Sequence, residues 1–493
     1  MGEFIPAKTS GRRSSATALT GIAGTGRAGR AGRSPGIADS GTVGSGSDTA
    51  GTSTTGSRSG ITSTDAASRG SDKLRCQAPR LGILHCDMNA YYASVEQVLN
   101  PALKGLPMAV CGSVEDRHGI VLAKSQEAKI QGVKTGETIW QAQSKCPQLH
   151  IVPPHYEAYV HYSKRVRAIY AEVSNQVEPF GLDECWLDVR GSRQLFGPPE
   201  DIAELLRQRI KRELGLTISV GVSINKVFAK LGSDMKKPDA VTVLRSEDIP
   251  ERVWSLPVED LLGVGPATKR KLNLWGISTI GQLARAPAEL LQRRLGINGY
   301  RLWRWANGWD DGRVRVLGES GPVRSIGHSL TLRHDLVSKE SLWPVFLALA
   351  QNVGLRLRSG GFRAGGVQIS LRDQNFFEEE FQTPLPYPSH SSVYLARCAY
   401  KLFTRMSEMS VPLRAVGIRA IQLIPLEQPL QLNFFSDARE LERLEKIEDC
   451  IYNLRGRFGE KSVSWAVLQR DLDFAEQTPD EIHPPGLPVF GPD

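Results

Sequence analysis

Cysteine is scarce in this 493-residue chain: Cys76, Cys86, Cys111, Cys146, Cys185, Cys398 and Cys450 form an odd, widely spaced set with no Cys-x-x-Cys pair. That argues against a zinc site or a disulfide framework and fits a reducing cytoplasm. Cys86 and Cys185 adjoin acids, yet both read as small packed residues. Long apolar runs are missing too. No stretch approaches the ~20 apolar residues of a membrane span, and Ala16 to Ala23 is broken by Thr and Gly where a secretory signal needs an unbroken apolar core. The expectation is a soluble cytoplasmic protein with no membrane partner. Aromatic residues are almost absent from Met1 to Arg75, so residues 1–75, a Gly/Ser/Arg-rich tail, cannot bury enough surface to offset the entropy of ordering and are expected to be disordered.

Acids are the minority charge: 61 Lys and Arg stand against 53 Asp and Glu, a net +8. Much of the excess lies in the tail, at Arg12, Arg13, Arg27, Arg30, Arg33, Arg58, Arg69 and Arg75 with Lys8 and Lys73. Such a tail either adds non-specific attraction to DNA phosphates or serves as a solubilising leader.

Beyond the tail, enough chain of ordinary globular composition remains for several domains. Leu81 to Cys86 reads as a short buried strand: it is apolar, too short for a stable helix, and closed by the polar Asp87-Met88-Asn89. A carboxylate ending a buried strand is a turn residue, a helix cap or a ligand. Capping is open to Asp87 or Asn89, because Ala90 to Leu99 suggests a helix.

A second acidic stretch favours the ligand reading. Val177 to Val189 is strand-like, interrupted by Pro179 and Gly181, and carries Asp183-Glu184. Adjacent strand residues point to opposite faces, so both acids converge only at a turn or bulge, which Gly181 permits. Asp87, Asp183 and Glu184 would then surround hard cations; two Mg²⁺ ions roughly 3.5–4 Å apart serve phosphoryl transfer.

Four blocks stand in order: Asp87 to Glu96 (DMNAYYASVE), Asp183 to Asp188 (DECWLD), Ser219 to Lys230 (SVGVSINKVFAK) and Leu231 to Pro238 (LGSDMKKP). Together they resemble the Y-family translesion DNA polymerases, in the DinB-like, DNA polymerase IV branch of the UmuC-domain superfamily, over about Leu81 to Phe435. The residues alone give a mixed sheet domain with acids at strand ends, which a nucleotide cyclase on a similar palm also fits. The resemblance implies an α+β, multidomain right hand. Its ferredoxin-like palm would span 81–112 and 153–249, and small fingers 113–152. A helical thumb with a helix-hairpin-helix would span 250–318 and an α/β little finger 322–426. Within these, Pro107 to Cys111 and Thr217 to Val222 read as strands, and Glu157 to Asn175 and Asp201 to Leu214 as helices.

By the same resemblance Asp87 and Asp183 would bridge the metals, Glu184 would complete the catalytic one, and Met88 would offer its carbonyl. Tyr92 would be the steric gate that excludes a 2′-hydroxyl, and Lys237 would bind the triphosphate. Two departures stand out. Gln126 and Lys129 occupy the places of a family Tyr-x-x-Arg that contacts the triphosphate, so the charge persists without the bidentate fork. Gly181 replaces a serine common before the acid pair.

Leu261 to Leu272 resembles a helix-hairpin-helix in which Gly263, Gly265 and Lys269 would meet a DNA phosphate, although a plain glycine turn between packed helices has the same pattern. Trp303, Trp305 and Trp309 read as core of that helical domain rather than as base-stacking groups. Arg324 resembles the start of the little finger's DNA-holding strand. The strand signals at Val367 to Arg372 and Ala415 to Ile424 flank a domain with a helix at Leu342 to Leu357. Gln431-Leu432-Asn433-Phe434-Phe435 resembles the bacterial sliding-clamp peptide, with Gln431 at one end and Leu432, Phe434 and Phe435 as anchors for an apolar groove. Residues 436–493 read as a charged amphipathic helix, Ala438 to Arg457, and a loose Pro-rich end.

The expectation is an error-prone DNA-directed DNA polymerase, a monomer without proofreading and nucleoid-associated. It would use primer-template DNA, dNTPs, two Mg²⁺ ions and the clamp. Two alternatives stay open: a catalytically silent clamp-bound scaffold of the same fold, and a UmuC-like polymerase needing accessory subunits.

Overall fold

The computed structural model describes residues 81–114, 119–319, 321–429, 438–459 and 462–469. The tail, residues 1–75, the clamp-like peptide 431–435 and the Pro-rich end lie outside the described residues.

Among the described residues the first elements are strand β1 (Ile83–Met88), buried throughout, and helix α1 (Tyr91–Leu99). Next come β2 (Met108–Cys111), β3 (Val121–Lys124), α2 (Gln126–Ile130), α3 (Ile139–Lys145) and β4 (His150–Val152). Helix α4 (Tyr156–Val173) leads to β5 (Val177–Pro179) and β6 (Glu184–Asp188). Then follow α5 (Arg193–Phe196), α6 (Pro199–Leu214), β7 (Ile218–Ser223), α7 (Lys226–Met235) and β8 (Val241–Val243).

Helix α6 shows why these residues fold as they do. Pro199 opens it, Glu200 and Asp201 sit in the first turn, Lys211 and Arg212 in the last, and Gly215 at φ 69 ends it. Each choice satisfies or complements the unpaired ends of the helix. Helix α7 is capped by Asn225, whose side chain accepts from the Phe228 amide at 2.8 Å.

The first sheet has the order β5-β6-β1-β7-β8, with β1 antiparallel to both neighbours and β7 parallel to β8. Its core packs Leu84, Cys86 and Met88 against Val166, Ile169 and Tyr170 of α4 and Ile202, Leu206 and Ile210 of α6. A smaller sheet, β3-β2-β4, lies beside it. Strand β2 serves two cores through its period of two: Met108 and Val110 join the large core, Ala109 and Cys111 the small one with Val121, Ala128 and Leu149. Met108–Cys111 pairs antiparallel with β3 and parallel with β4.

A helical region follows, with α8 (Pro266–Leu274), α9 (Ile280–Arg285), α10 (Ala288–Leu295) and α11 (Ile297–Ala306) around Leu261, Leu272, Leu283, Leu291 and Leu302. Trp303 and Trp305 pack against this core, whereas Trp309 is exposed. The second large sheet is antiparallel, formed by β9 (Ser325–Leu336), β10 (Phe362–Asp373), β11 (Glu378–Ser389) and β12 (Leu413–Pro425) in the order β11-β10-β12-β9. It packs on α12 (Leu342–Ser359) and α13 (Ser392–Met406).

The last α-helix among the described residues, α14 (Ala438–Phe458), docks on this sheet and its helices. Its buried Glu448 accepts from the Ser392 and Val393 amides at 2.7 and 3.0 Å, and from Arg358 Nη2 at 2.8 Å. A carboxylate at the start of α13 satisfies amides that the helix cannot pair itself. Leu444 of α14 and, beyond it, Trp465, Val467 and Leu468 join the same core. Among the described residues no helix is long and apolar enough to cross a membrane.

Candidate active site

Alternation along β1 sends Leu84, Cys86 and Met88 into the core and His85 and Asp87 to the other face. Register places Asp87 opposite Glu184 and His85 opposite Trp186, so the two acids share that face. Asp183 closes the turn that Gly181, at φ 94, makes possible. Its carbonyl accepts from the Met88 amide at 3.0 Å, which ties it to the end of β1. The turn is fastened from α4: Arg167 Nη2 donates to the Gly181 carbonyl at 3.0 Å, and the Ser163 hydroxyl donates to that of Leu182.

Helix α7 and the loop after it lay lysines over the acids. Lys230 Nζ is 2.7 Å from Glu184 Oε2, and Lys237 Nζ is 2.7 Å from Asp87 Oδ2 and 2.9 Å from Asp234 Oδ1. Behind Glu184, buried His85 has Nε2 at 3.2 Å from Oε2 and Nδ1 at 2.8 Å from Ser233 Oγ. These neighbours divide the carboxyls electrostatically. Burial pushes Asp87 up to about 6, against the pull of Lys237. Burial and the charge of Glu184 raise Asp183. Burial works to raise Glu184 as well, but His85 and Lys230 outweigh it and hold that carboxyl at about 2. Burial draws the Lys237 ammonium down, and Asp87 and Asp234 more than reverse this. The adjacent thiols are inert packing: burial raises Cys86, and Cys185 to about 12.

The donor set fits hard cations, because Asp87, Asp183 and Glu184 offer only oxygen and are held together by register and turn. Among the described residues no three His, Cys, Asp or Glu side chains converge as a ready cage. Two of the three acids are instead turned onto lysines.

Neither Asp87 nor Asn89 caps α1. Ala90 is its N-cap, at φ 46 with no side-chain hydrogen bond, and the Asn89 amide is bonded to Ser219 and Asp239. Tyr92 stands on the first turn of that helix, stacked on Tyr159 with ring centroids 4.2 Å apart and planes 9° from parallel. Tyr156 meets it edge-on at 6.1 Å. Tyr159 is fixed in turn, its hydroxyl donating to buried Glu96 and its carbonyl accepting from the Tyr91 hydroxyl. Burial, with Tyr156 and Asp183 nearby, pushes the Tyr92 phenol up to about 12.

Asp87, Met88, Asp183, Glu184, Lys237 and Tyr92 thus gather at one end of the first sheet. Gln126 and Lys129 lie exposed on α2, beside the small sheet. Gly263 adopts φ 90, and Gly265 is the N-cap of α8, which Pro266 opens. Lys269 Nζ is 2.6 Å from Glu259 Oε1. Arg324 is exposed just before β9. Gln431, Leu432, Phe434 and Phe435 lie outside the described residues. Sequence reasoning missed Tyr159, which reads as a core position of an amphipathic helix, and His85 and Ser233, which no spacing links. It quoted Lys230 without a role.

Residues 86–234 match the impB/mucB/samB family, and residues 323–434 match its C-terminal domain. A protein named DNA polymerase IV from Acetivibrio thermocellus is 48% identical over 389 residues, covering 79% of this chain and 98% of that protein. DNA polymerase IV of Moorella thermoacetica is 39% identical over 386 residues, covering 78% of this chain and 95% of the relative. DNA polymerase IV 1 of Bacillus subtilis is 38% identical over 392 residues, 77% of this chain and 91% of the relative. Among solved structures, a Y-family DNA polymerase chimera of Dbh and Dpo4 superposes with a TM-score of 0.62 at 23% identity, over 70% of this chain and 99% of that chain.

Proposed function

The chain belongs to the impB/mucB/samB family, in the DinB-like DNA polymerase IV branch of the Y-family polymerases, and is a DNA-directed DNA polymerase; on that premise we propose that it performs error-prone translesion synthesis without proofreading, by two-metal nucleotidyl transfer. The observation that carries this reading is the register pair Asp87 and Glu184, with Asp183 tied to Met88 and Lys230 and Lys237 above them.

Asp87, Asp183, Glu184 and the Met88 carbonyl are the residues that would hold two Mg²⁺ ions. When bound, the ions activate the attacking oxygen and stabilise the leaving one. The chain's own groups do the rest. Lys237 sets a compact positive charge where the triphosphate arrives, offsetting charge that develops on the leaving pyrophosphate. Tyr92, backed by Tyr159, presents a fixed ring edge where the sugar lies and so rejects a 2′-hydroxyl by exclusion. Lys129 adds charge from α2 without a bidentate fork, and Gln126 adds an amide. Ser233 orients His85, whose Nε2 lies 3.2 Å behind Glu184 Oε2.

We assign the first sheet to the palm, the small sheet to the fingers, the helical region to the thumb and the second sheet to the little finger. Gly263, Gly265, Lys269 and Arg324 contact DNA backbone in this reading. Residues 431–435 bind the sliding clamp through Leu432, Phe434 and Phe435. The enzyme acts as a monomer at the nucleoid.

Primer extension with Mg²⁺ and dNTPs, on undamaged and lesion-bearing templates, tests the reading. Wild type should extend on both and the double variant Asp183→Ala, Glu184→Ala on neither. Extension by the double variant would remove the metal assignment; arrest of wild type at every lesion would remove the translesion one.

A further inference from the structure

The loop that carries Lys237 has little packing of its own. Helix α7 ends at Met235 and β8 begins at Val241, and Lys236, Lys237 and Pro238 between them are exposed. Its anchor is Asp239. That residue takes φ 54, and its backbone N–H donates to Asn89 Oδ1 at 2.8 Å. Asn89 is itself held at several atoms. It is buried, its amide N–H donates to the Thr217 carbonyl at 2.9 Å, its carbonyl accepts from Ser94 Oγ at 2.7 Å, and its Nδ2 donates to Ser219 Oγ at 2.9 Å. From the outer side the Asp239 carboxylate meets Arg207 Nη1 at 2.5 Å and Lys211 Nζ at 2.7 Å, both on α6. Arg207 is held in turn by Glu204 at 2.6 Å.

We propose that Asn89, acting through Asp239, is a positioning residue for nucleotide binding: it braces the backbone of the Lys237 loop at a fixed place beside the Asp87 turn. This rests on the reading of Lys237 as the triphosphate group. A lysine on a loose loop must surrender backbone freedom as well as side-chain freedom when it meets a phosphate, and that loss weakens binding without changing the reacting centre. The brace removes the backbone part in advance. It also fixes the spacing between Asp87 and Lys237, since Asn89 lies two residues from the acid and Asp239 two residues from the lysine. A capping role would require the Asn89 side chain to accept from an α1 amide; it spends its acceptor on Asp239 instead.

Single-nucleotide insertion kinetics on the full chain, with Mg²⁺ and one correct dNTP, test the brace. Asn89→Ala should raise the KM for dNTP about 10-fold while kcat changes by less than about 2-fold. Asn89→Asp keeps one acceptor for the Asp239 amide and another for the Ser219 hydroxyl, and should restore KM to within about 2-fold of wild type. In the Lys237→Ala background, where KM is already raised, adding Asn89→Ala should raise it by less than about 2-fold further. A full 10-fold rise in that background would mean that Asn89 acts through the Asp87 turn instead, and would overturn the brace. An unchanged KM in Lys237→Ala alone would bring down the triphosphate reading itself. Should Asn89→Ala not fold, the paired surface variant Arg207→Ala, Lys211→Ala removes the outer arm. It should raise KM about 3-fold, and an unaltered KM there also refutes the brace.

Discussion

A Cβ placed on Gly221 would lie 1.9 Å from the carbonyl oxygen of Ala229 and 2.5 Å from the Ser233 amide nitrogen, so β7 and α7 touch backbone to backbone. Gly232 faces the same contact from the helix side, its added Cβ 3.2 Å from the Gly221 Cα. Closeness here sets the site, because α7 carries Lys230 and leads to Lys237, and both must reach carboxylates on the sheet. Gly221 stands opposite His85 in the register, on the same face as Asp87 and Glu184.

Gly221→Ala should therefore lift α7 from the sheet. We expect a loss of about 2–3 kcal/mol in urea unfolding, as for overpacked cores, together with a fall in insertion rate at temperatures where the variant is folded. Wild-type stability in this variant would contradict the contact.

Much of this was legible in the sequence, and the exceptions share a cause. Buried β1 and its closing acid follow from an apolar run with a polar break, and the Asp183 turn follows from Gly181. The strands around 108, 218, 367 and 415 and the helices at 156, 199, 342 and 438 follow from periodicity alone. For Asn89, between strand and helix, local rules leave capping open. Its partners, Ser219 and Asp239, lie 130 and 150 residues away and win by engaging both ends of its side-chain amide, Nδ2 and Oδ1. Tyr159 looked like ordinary helix core, since nothing local announces a ring 67 positions back; Glu448 looked like one more charge on a charged helix until α13 supplied its amides.

The stack of Tyr92 on Tyr159 makes a second prediction. Tyr92→Ala should admit ribonucleotides without abolishing synthesis. Tyr159→Ala removes the ring behind the gate and should relax sugar selection in the same direction but by less, about 10-fold, because Tyr156 still flanks Tyr92. The ratio of kcat/KM for dNTP over rNTP is the readout, and unchanged selection in Tyr92→Ala would end the gate assignment.

Glu448 joins α14 to α13 and α12 through one carboxylate. Glu448→Ala leaves the Ser392 and Val393 amides without that acceptor and takes one of two carboxylates from Arg358, whose Nε still meets Asp449 at 2.8 Å. We expect about 3 kcal/mol of destabilisation, the scale of breaking a buried pair, and faster limited proteolysis near residue 438. Glu448→Gln keeps an acceptor and should lose less. Equal proteolysis of all three proteins would show that α14 is held by other means.

Glu178 offers a test in pH. It is buried on β5 and ties the start of α7 to the chain that follows α11: Lys226 Nζ lies 2.8 Å from Oε2, the Arg315 amide donates to Oε2 at 3.0 Å, and Arg315 Nη2 donates to Oε1 at 3.0 Å. Burial works to raise its carboxyl, but Lys226 and Arg315 outweigh this and the group lies below the ordinary glutamate value of 4.5. A depressed folded value means that the stabilisation is complete above about pH 4.5 and drains away as the pH falls through the folded value, because the unfolded chain takes up the proton first. Many carboxylates share acid sensitivity, so the difference between wild type and Glu178→Gln isolates this one. At pH 7 the variant should be less stable by about 2 kcal/mol, the scale of hydrogen bonds to a charged group. Below the ordinary glutamate value that gap should narrow, since wild type loses its charge while the amide has none to lose. Urea unfolding of both proteins at pH 7 and near pH 3.5 decides the matter: a gap that stays constant with pH would mean that Glu178 contributes shape and hydrogen bonding rather than charge.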